Sequence, residues 1–142
     1  MTENTNERVT IIVTREQAMV MERALELYAR MHIGQTEDIP YLMMDFRCKD
    51  FAQRRALAND AFELGMKIMH GENCYGRVDI TEKNVEHKRA WLLYTTLRHA
   101  RSWHDNPKGD HWSVCYDPPM PEIDCEYMPK CVITEVKSDE NT

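Results

Sequence analysis

The sequence lacks long apolar runs and the short motifs that mark common catalytic sites. No apolar stretch approaches the roughly 18 residues that a membrane-spanning helix needs, and the polar opening, MTENTNER, is unlike a secretory signal. GxSxG, P-loop and GxGxxG patterns are absent, and no serine or cysteine stands in a pattern typical of a nucleophile. We therefore expect a cytoplasmic protein that is not an enzyme and does not bind membranes.

Cysteine is too irregularly placed for a disulfide framework or a zinc site. The five cysteines are an odd number and include no CxxC pair. Two His/Cys pairs, His70 with Cys74 and His111 with Cys115, are four residues apart. A strand separates such residues by roughly 14 Å, so the second pair could not chelate one ion. We expect a reduced protein with no metal and no cofactor.

Acidic residues outnumber lysine and arginine, 24 to 18, which gives a formal net charge of −6 at pH 7. Nonspecific binding to duplex nucleic acid depends on neutralising phosphates, so this balance argues against that class of partner. The 142 residues suffice for one domain with a core, and the polar ends lack large apolar residues. We expect one globular domain over residues 8–136 between disordered ends, 1–7 and 137–142.

Apolar residues at helical spacing predict three or four helices. The first begins after Thr14, whose side chain can form a capping box with Gln17, and ends near Gly34. We expect one face of it to pack inward, the face that carries Met21, Ala24, Leu25, Tyr28 and Met31. A short helix containing LMMDF follows, and a wide apolar helix runs from Asp50 to about Gly71. Because its apolar residues cover so much of its circumference, we expect this third helix to be central.

Three short segments have the composition or the alternation of strands. They are RVTIIVT at residues 8–14, HWSVCY at 111–116 and KCVITEV at 130–136. Together with the helices they predict an α+β fold, in which three to four helices pack on a small, mainly antiparallel sheet.

The fourth predicted helix, residues 79–103, has two nonpolar faces. One arc carries the residues expected to face the core: Val85, Leu92, Leu93, Leu97, Ala100 and Trp103. The opposite arc carries five residues three or four positions apart, which we call the ridge: His87, Trp91, Tyr94, Arg98 and Arg101. Rings can stack on bases and guanidinium groups match phosphate oxygens, so the ridge is typical of a nucleotide site. The alternative is that it packs against another helix or a second subunit.

Other residues are candidates for the same site. Arg54, on the third helix, could close an anion site across from the ridge, although a solvated face explains it too. Asn73 and Tyr75 lie in the glycine-containing loop 71–76, whose backbone could approach a ligand closely, although ordinary turn chemistry also explains its glycines. The adjacent pair His104 and Asp105 invites comparison with metal-dependent phosphohydrolases, but a role at the helix end is the ordinary interpretation.

Two stretches, RALELYARMHIGQTEDI (residues 23–39) and LRHARSWHDNPKG (residues 97–109), together resemble a group of small accessory proteins of tailed phages and prophages. In that group a helix of the type ALELYSR-I-IGQ and a later helix ending in RH, a tryptophan and NP recur, separated by a loop with a tyrosine-glycine pair like Tyr75-Gly76. The resemblance implies a phage context, in which small accessory proteins are frequently inhibitors of host defence. Some of them are oligomeric sponges that bind cyclic nucleotide or cyclic ADP-ribose signals without cleaving them.

The ridge and this context predict a homo-oligomer that sequesters a cyclic nucleotide second messenger in the host cytoplasm. In this hypothesis Arg98 and Arg101 contact phosphates and Trp91 or Tyr94 stacks on a base. The alternative is a protein-binding inhibitor whose acidic surface contacts a basic host enzyme of defence or nucleic-acid metabolism. A third hypothesis, hydrolysis through His104 and Asp105, requires turnover with a divalent metal.

Overall fold

The computed structural model describes residues 8–43, 50–70, 85–120 and 128–134, and these residues are mainly helical. The helices are α1 (Arg15–Met31), α2 (Asp38–Met43), α3 (Phe51–His70) and α4 (Val85–Asp105), and a short 3-10 turn follows at Val114–Tyr116. The predicted disordered ends and the loop 71–76 lie outside the described residues.

Helix α1 begins and ends where the sequence predicts. Thr14 Oγ1 accepts a hydrogen bond from the Gln17 backbone N–H at 3.3 Å, and the Gln17 side chain accepts one from the Thr14 N–H at 2.9 Å. This capping box satisfies backbone donors that have no partner within the helix. Beyond Met31, Gly34 adopts a φ of 75°, a conformation that glycine reaches without a steric penalty and that ends the helix.

Helices α1 and α4 form an antiparallel pair and contain most of the buried core. Arg15, at the start of α1, pairs with Asp105 at the end of α4, whereas Ala29, near the end of α1, contacts His87 near the start of α4. The buried apolar residues of this pair are Ala29, Ala90, Leu92 and Tyr94. Two of these four residues are alanines, whose small side chains let the two helices approach closely.

The prediction that α3 is central is wrong. This helix packs on α2 and on the chain after α1 through small residues: Gly65 lies against the Gly34 carbonyl, and Thr36 Oγ1 donates to the Ala61 carbonyl. Of its larger apolar residues Met66 is buried, but Leu64 is 59% and Ile68 74% exposed. Periodicity identifies a face that favours burial but does not say which part of the molecule covers it.

The predicted α+β fold is also wrong, because the described residues contain helices and no strand. Residues 8–14 and 128–134 have no regular secondary structure and form no backbone ladder, and Ile12 is almost fully exposed. In the remaining predicted strand, residues 111–116, Ser113 Oγ accepts a hydrogen bond from the Cys115 N–H and starts the 3-10 turn. A β-branched composition favours an extended chain, but a sheet also needs a neighbouring strand at the right register.

None of the helices in the described ranges combines the length and the apolar composition needed to cross a lipid bilayer.

Candidate functional site

The ridge on α4 turns towards α1, and His87 is its most deeply buried residue. Its side chain is 97% covered, and Nδ1 lies 2.7 Å from the Ala29 carbonyl oxygen. A carbonyl oxygen can only accept, so Nδ1 is the donor. The Ile33 N–H, four residues on, donates to the Arg30 carbonyl instead. His87 therefore satisfies a carbonyl that the end of α1 leaves without its usual partner.

The aromatic rings of the ridge contact one another along α4. The centres of the His87 and Trp91 rings are 6.1 Å apart and the ring planes are inclined by 16°, so the rings are stacked. The centres of the Trp91 and Tyr94 rings are 5.1 Å apart, with an angle of 57° between the planes. Tyr94 is 93% covered, and this burial raises the pKa of its hydroxyl. Trp91 is only partly buried, so it is the ring of this set that retains a surface for a ligand.

Arg98 folds back over the same ring system. Its guanidinium carbon lies 4.9 Å from the centre of the Tyr94 ring, Nη1 donates to the Tyr94 hydroxyl at 3.1 Å, and Nη2 donates to the Val114 carbonyl at 3.3 Å. The arginine thereby fixes the 3-10 turn to α4. Its buried Nε has no hydrogen-bond partner among the described residues.

Arg101 binds a carboxylate of its own chain. Nε donates to Glu22 Oε2 at 2.9 Å and Nη2 donates to Glu22 Oε1 at 2.8 Å, so the pair is bidentate. The hydrogen bonds to Glu22 raise the pKa of Arg101. Nη1 also lies 3.7 Å from Asp105, which in turn accepts from Arg15 at 2.8 Å. Two edges of this guanidinium therefore already face carboxylates rather than solvent.

The other predicted site residues are not brought to the ridge by helix packing. Arg54 belongs to α3, which packs along α2 and not along α4, and its buried Nε also has no hydrogen-bond partner in the described ranges. Asn73 and Tyr75 lie outside the described residues. Their assignment to a ligand site, like that of the ridge, stays a prediction.

The described residues give no support to a hydrolytic centre at His104 and Asp105. The Asp105 carboxylate is held between two arginines of the α1–α4 pair. No group of three histidine, cysteine, aspartate or glutamate side chains in the described ranges is placed to hold a metal ion.

An apolar groove of about 510 Å³ runs along the α1–α4 pair on the side away from the ridge. It is lined by residues of both helices and of the segments 8–14 and 128–134: Ile11, Met21, Ala24, Leu25, Tyr28, Leu93, Thr96, Leu97, Pro129, Lys130 and Cys131. The Thr96 hydroxyl donates to the Leu92 carbonyl at 2.8 Å, so it is already satisfied within α4. The groove therefore offers an apolar floor, and Lys130 is the one charged residue among the described residues that line it.

Sequence reasoning missed this groove although it identified its walls. Met21, Leu25 and Tyr28 of α1, and Leu93 and Leu97 of α4, were predicted to be core-facing residues. They do share one side of the pair, but Leu93 remains 43% exposed and Tyr28 46% exposed. The signal in the sequence that could have indicated the groove is that α4 has two nonpolar faces. The ridge, predicted to be the ligand site, packs against α1, whereas part of the arc predicted to face the core lines the groove.

Comparison of the chain with protein-family models, with curated proteins and with solved structures gave no match.

Proposed function

We propose that this protein acts by binding another protein, and that the α1–α4 groove receives an apolar segment of that partner. One observation carries the proposal: the groove is large and almost wholly apolar, yet several of its lining residues are open to solvent, with Ile11 62% and Leu93 43% exposed. Contiguous apolar surface of this kind typically marks an interaction site.

The shape of the groove favours an amphipathic helix as the bound segment. An enclosed pocket surrounds a small ligand, whereas these half-exposed walls cover only one side of whatever lies between them. An amphipathic helix needs only one side covered, and it presents apolar side chains about every third or fourth position. The formal charge of −6 favours a partner with a basic surface, which steers association and orients the complex.

In the phage context that the resemblance implies, the partner is a host enzyme of defence or of nucleic-acid metabolism. The protein then acts by occupancy and needs no catalytic group. Two of the candidate catalytic or ligand-binding groups have structural roles that fit this proposal, since Asp105 and Arg101 join α1 to α4.

Site-specific photo-crosslinking tests the proposal. Leu93 is replaced by a benzoylphenylalanine residue in host cells, and the cross-linked peptide is identified by mass spectrometry. That peptide is then synthesised, and its binding is measured by fluorescence anisotropy to the parent, to Leu93→Glu and to Val20→Glu. Val20 is exposed on α1 but does not line the groove, so it is the matched control.

We expect an amphipathic segment of another protein that binds the parent and Val20→Glu alike and binds Leu93→Glu at least tenfold more weakly, because a charge would be buried in the groove. Cross-links only to peptides of this same chain, or equal binding to Leu93→Glu, would contradict the proposal.

Sequestration of a cyclic nucleotide is a second candidate, and Arg98 is the observation that favours it. Its Nε is a buried donor without a hydrogen-bond partner in the described ranges, and the partly exposed Trp91 lies two turns away on the same helix. A thermal-shift screen with cyclic dinucleotides, cyclic trinucleotides and cyclic ADP-ribose isomers tests it. A shift that Arg98→Ala abolishes and Arg89→Ala retains, with intact ligand recovered after heating, would favour sequestration. No shift across the panel would argue against it.

A further inference from the structure

Helix α3 carries an apolar stripe with the spacing of a coiled-coil seam. Leu57, Ala61, Leu64 and Ile68 are separated by four, three and four residues, so they fall on one line along the helix. The three large residues of this stripe are exposed, by 38%, 59% and 74% in chain order. The adjacent face, with Ala58 and Gly65, is the one buried against the rest of the chain. The large side chains of the stripe are thus separate from the contacts of Gly65 and of the Ala61 carbonyl that hold α3 in place.

Two opposite charges border the stripe on its free side. Asp60 precedes Ala61 and Lys67 precedes Ile68, which places both side chains on the flank that a coiled coil uses for charge pairing. Both are exposed, and neither forms an ion pair with a described residue.

We propose that this stripe is a dimer interface, in which α3 packs antiparallel against α3 of a second copy. The inference is independent of the groove proposal, because no residue of the stripe lines the α1–α4 groove. It gives the expected homo-oligomer a specific surface.

The side-chain sizes fit the antiparallel register. Setting Leu57 opposite Ile68 of the second copy also sets Ala61 opposite Leu64 of the second copy. Each large Leu64 then meets a small Ala61, and the two end layers each pair two branched aliphatic residues. Such alternation of large and small residues fills a helix–helix interface without a void or a clash. The two-fold symmetry repeats every contact, so the assembly closes as a dimer.

The charges select the antiparallel orientation over the parallel one. In this register, Asp60 lies beside Lys67 of the second copy, and symmetry produces the same pair again at the other end. In a parallel pair the flank bearing Asp60 would instead meet the opposite flank, where Ala58 and Gly65 carry no charge. Only the antiparallel arrangement gives both ionic groups a partner.

Sedimentation equilibrium of the full chain tests the proposal. The concentrations should span about 1 to 300 µM, because one helix from each copy buries an area at the low end of the range for stable complexes, so we expect weak association. We expect a monomer–dimer equilibrium in the parent. Asp60→Lys should weaken it by about tenfold or more, because two attractive pairs become two repulsive ones. The double exchange Asp60→Lys with Lys67→Asp should restore the parent affinity to within about threefold.

Two controls separate this interface from other surfaces. Glu63→Lys makes the same charge change on an exposed residue of α3 that faces away from the stripe, and should leave the equilibrium unchanged. Leu93→Glu alters the groove and should also leave the dimer intact, so the two proposals fail separately. A monomer at all concentrations, a dimer indifferent to Asp60→Lys, a double exchange that does not recover, or loss of the dimer in Leu93→Glu would each overturn the inference.

Discussion

Arg101 of α4 holds the buried carboxylate of Glu22 of α1 through two parallel hydrogen bonds, of 2.9 and 2.8 Å. The two residues are 79 positions apart in sequence, so the pair fixes the register of α1 against α4. A guanidinium and a carboxylate match in shape as well as charge, which explains why arginine rather than lysine suits this position.

Replacing Arg101 should destabilise the fold. Arg101→Leu leaves the Glu22 carboxylate buried without its cation, which lowers the free energy of unfolding. We expect a loss of about 2 kcal/mol, less than for a fully buried pair, because the arginine side chain is itself about one third exposed. Urea denaturation followed by circular dichroism measures it. Arg89→Leu is the control, since its partner Glu86 is exposed and the expected change is below about 0.5 kcal/mol. Equal effects of the two substitutions would contradict this role.

His87 should be needed for stability because it is the hydrogen-bond donor to the Ala29 carbonyl. His87→Phe keeps a planar ring in the α1–α4 interface but removes the donor, and leaving a buried acceptor unsatisfied costs about 1 to 3 kcal/mol. The melting temperature should fall accordingly. His104→Phe, an exposed position of the same helix, should change it little. If both variants have the melting temperature of the parent, the hydrogen bond from His87 does not contribute to stability.

Local structure was predictable wherever the deciding interaction is local. The capping box at Thr14 and Gln17 and the stop at Gly34 involve residues close in sequence, and the structure has both. Each strand of the predicted sheet needed a partner strand distant in sequence, and residues 8–14 form no backbone ladder with any described residue. A composition that favours strands cannot supply the pairing on which a strand depends.

The candidate site shows the same limit at the level of side chains. The spacing of the ridge residues was enough to show that they share one face of α4, and they do. Which element covers that face depends on Glu22 and Ala29, which lie on a helix some 60 to 80 residues earlier in the chain. A basic aromatic face fits a nucleotide, but it fits equally well a neighbouring helix that offers a carboxylate and a carbonyl oxygen.

Gly65 should be intolerant of even a methyl group. A Cβ there would overlap the Gly34 carbonyl oxygen and Thr36 Oγ1, and the former is backbone that cannot move without displacing the end of α1. On an isolated helix, Gly→Ala is stabilising by about 1 kcal/mol. We expect the clash to reverse that sign, so that Gly65→Ala lowers the free energy of unfolding by about 1 to 3 kcal/mol.

Asn59→Ala, on the exposed side of α3, is the control for the Gly65 experiment, because it raises helix propensity without a new contact. Chemical denaturation of both variants gives the comparison. A more stable Gly65→Ala would show that α3 does not approach the Gly34 loop as closely as the structure has it.

Cys131 should react slowly until the groove is opened. Burial in the groove raises the pKa of its thiol, so at any pH below that raised value a smaller fraction is the reactive thiolate than for a free cysteine. Alkylation by iodoacetamide at pH 8, followed by mass spectrometry of the Cys131 peptide, should proceed more slowly than that of N-acetylcysteinamide, which lacks a free carboxylate beside the thiol. The rate should keep rising with pH beyond the point where the rate of the free thiol levels off, and urea should remove the difference.

A segment bound in the groove should slow the alkylation of Cys131 further, because it covers the same wall, and Leu93→Glu should not show this protection. Alkylation as fast as that of the free thiol in the folded protein would contradict the burial of Cys131, and protection equal in Leu93→Glu and the parent would place the bound segment elsewhere.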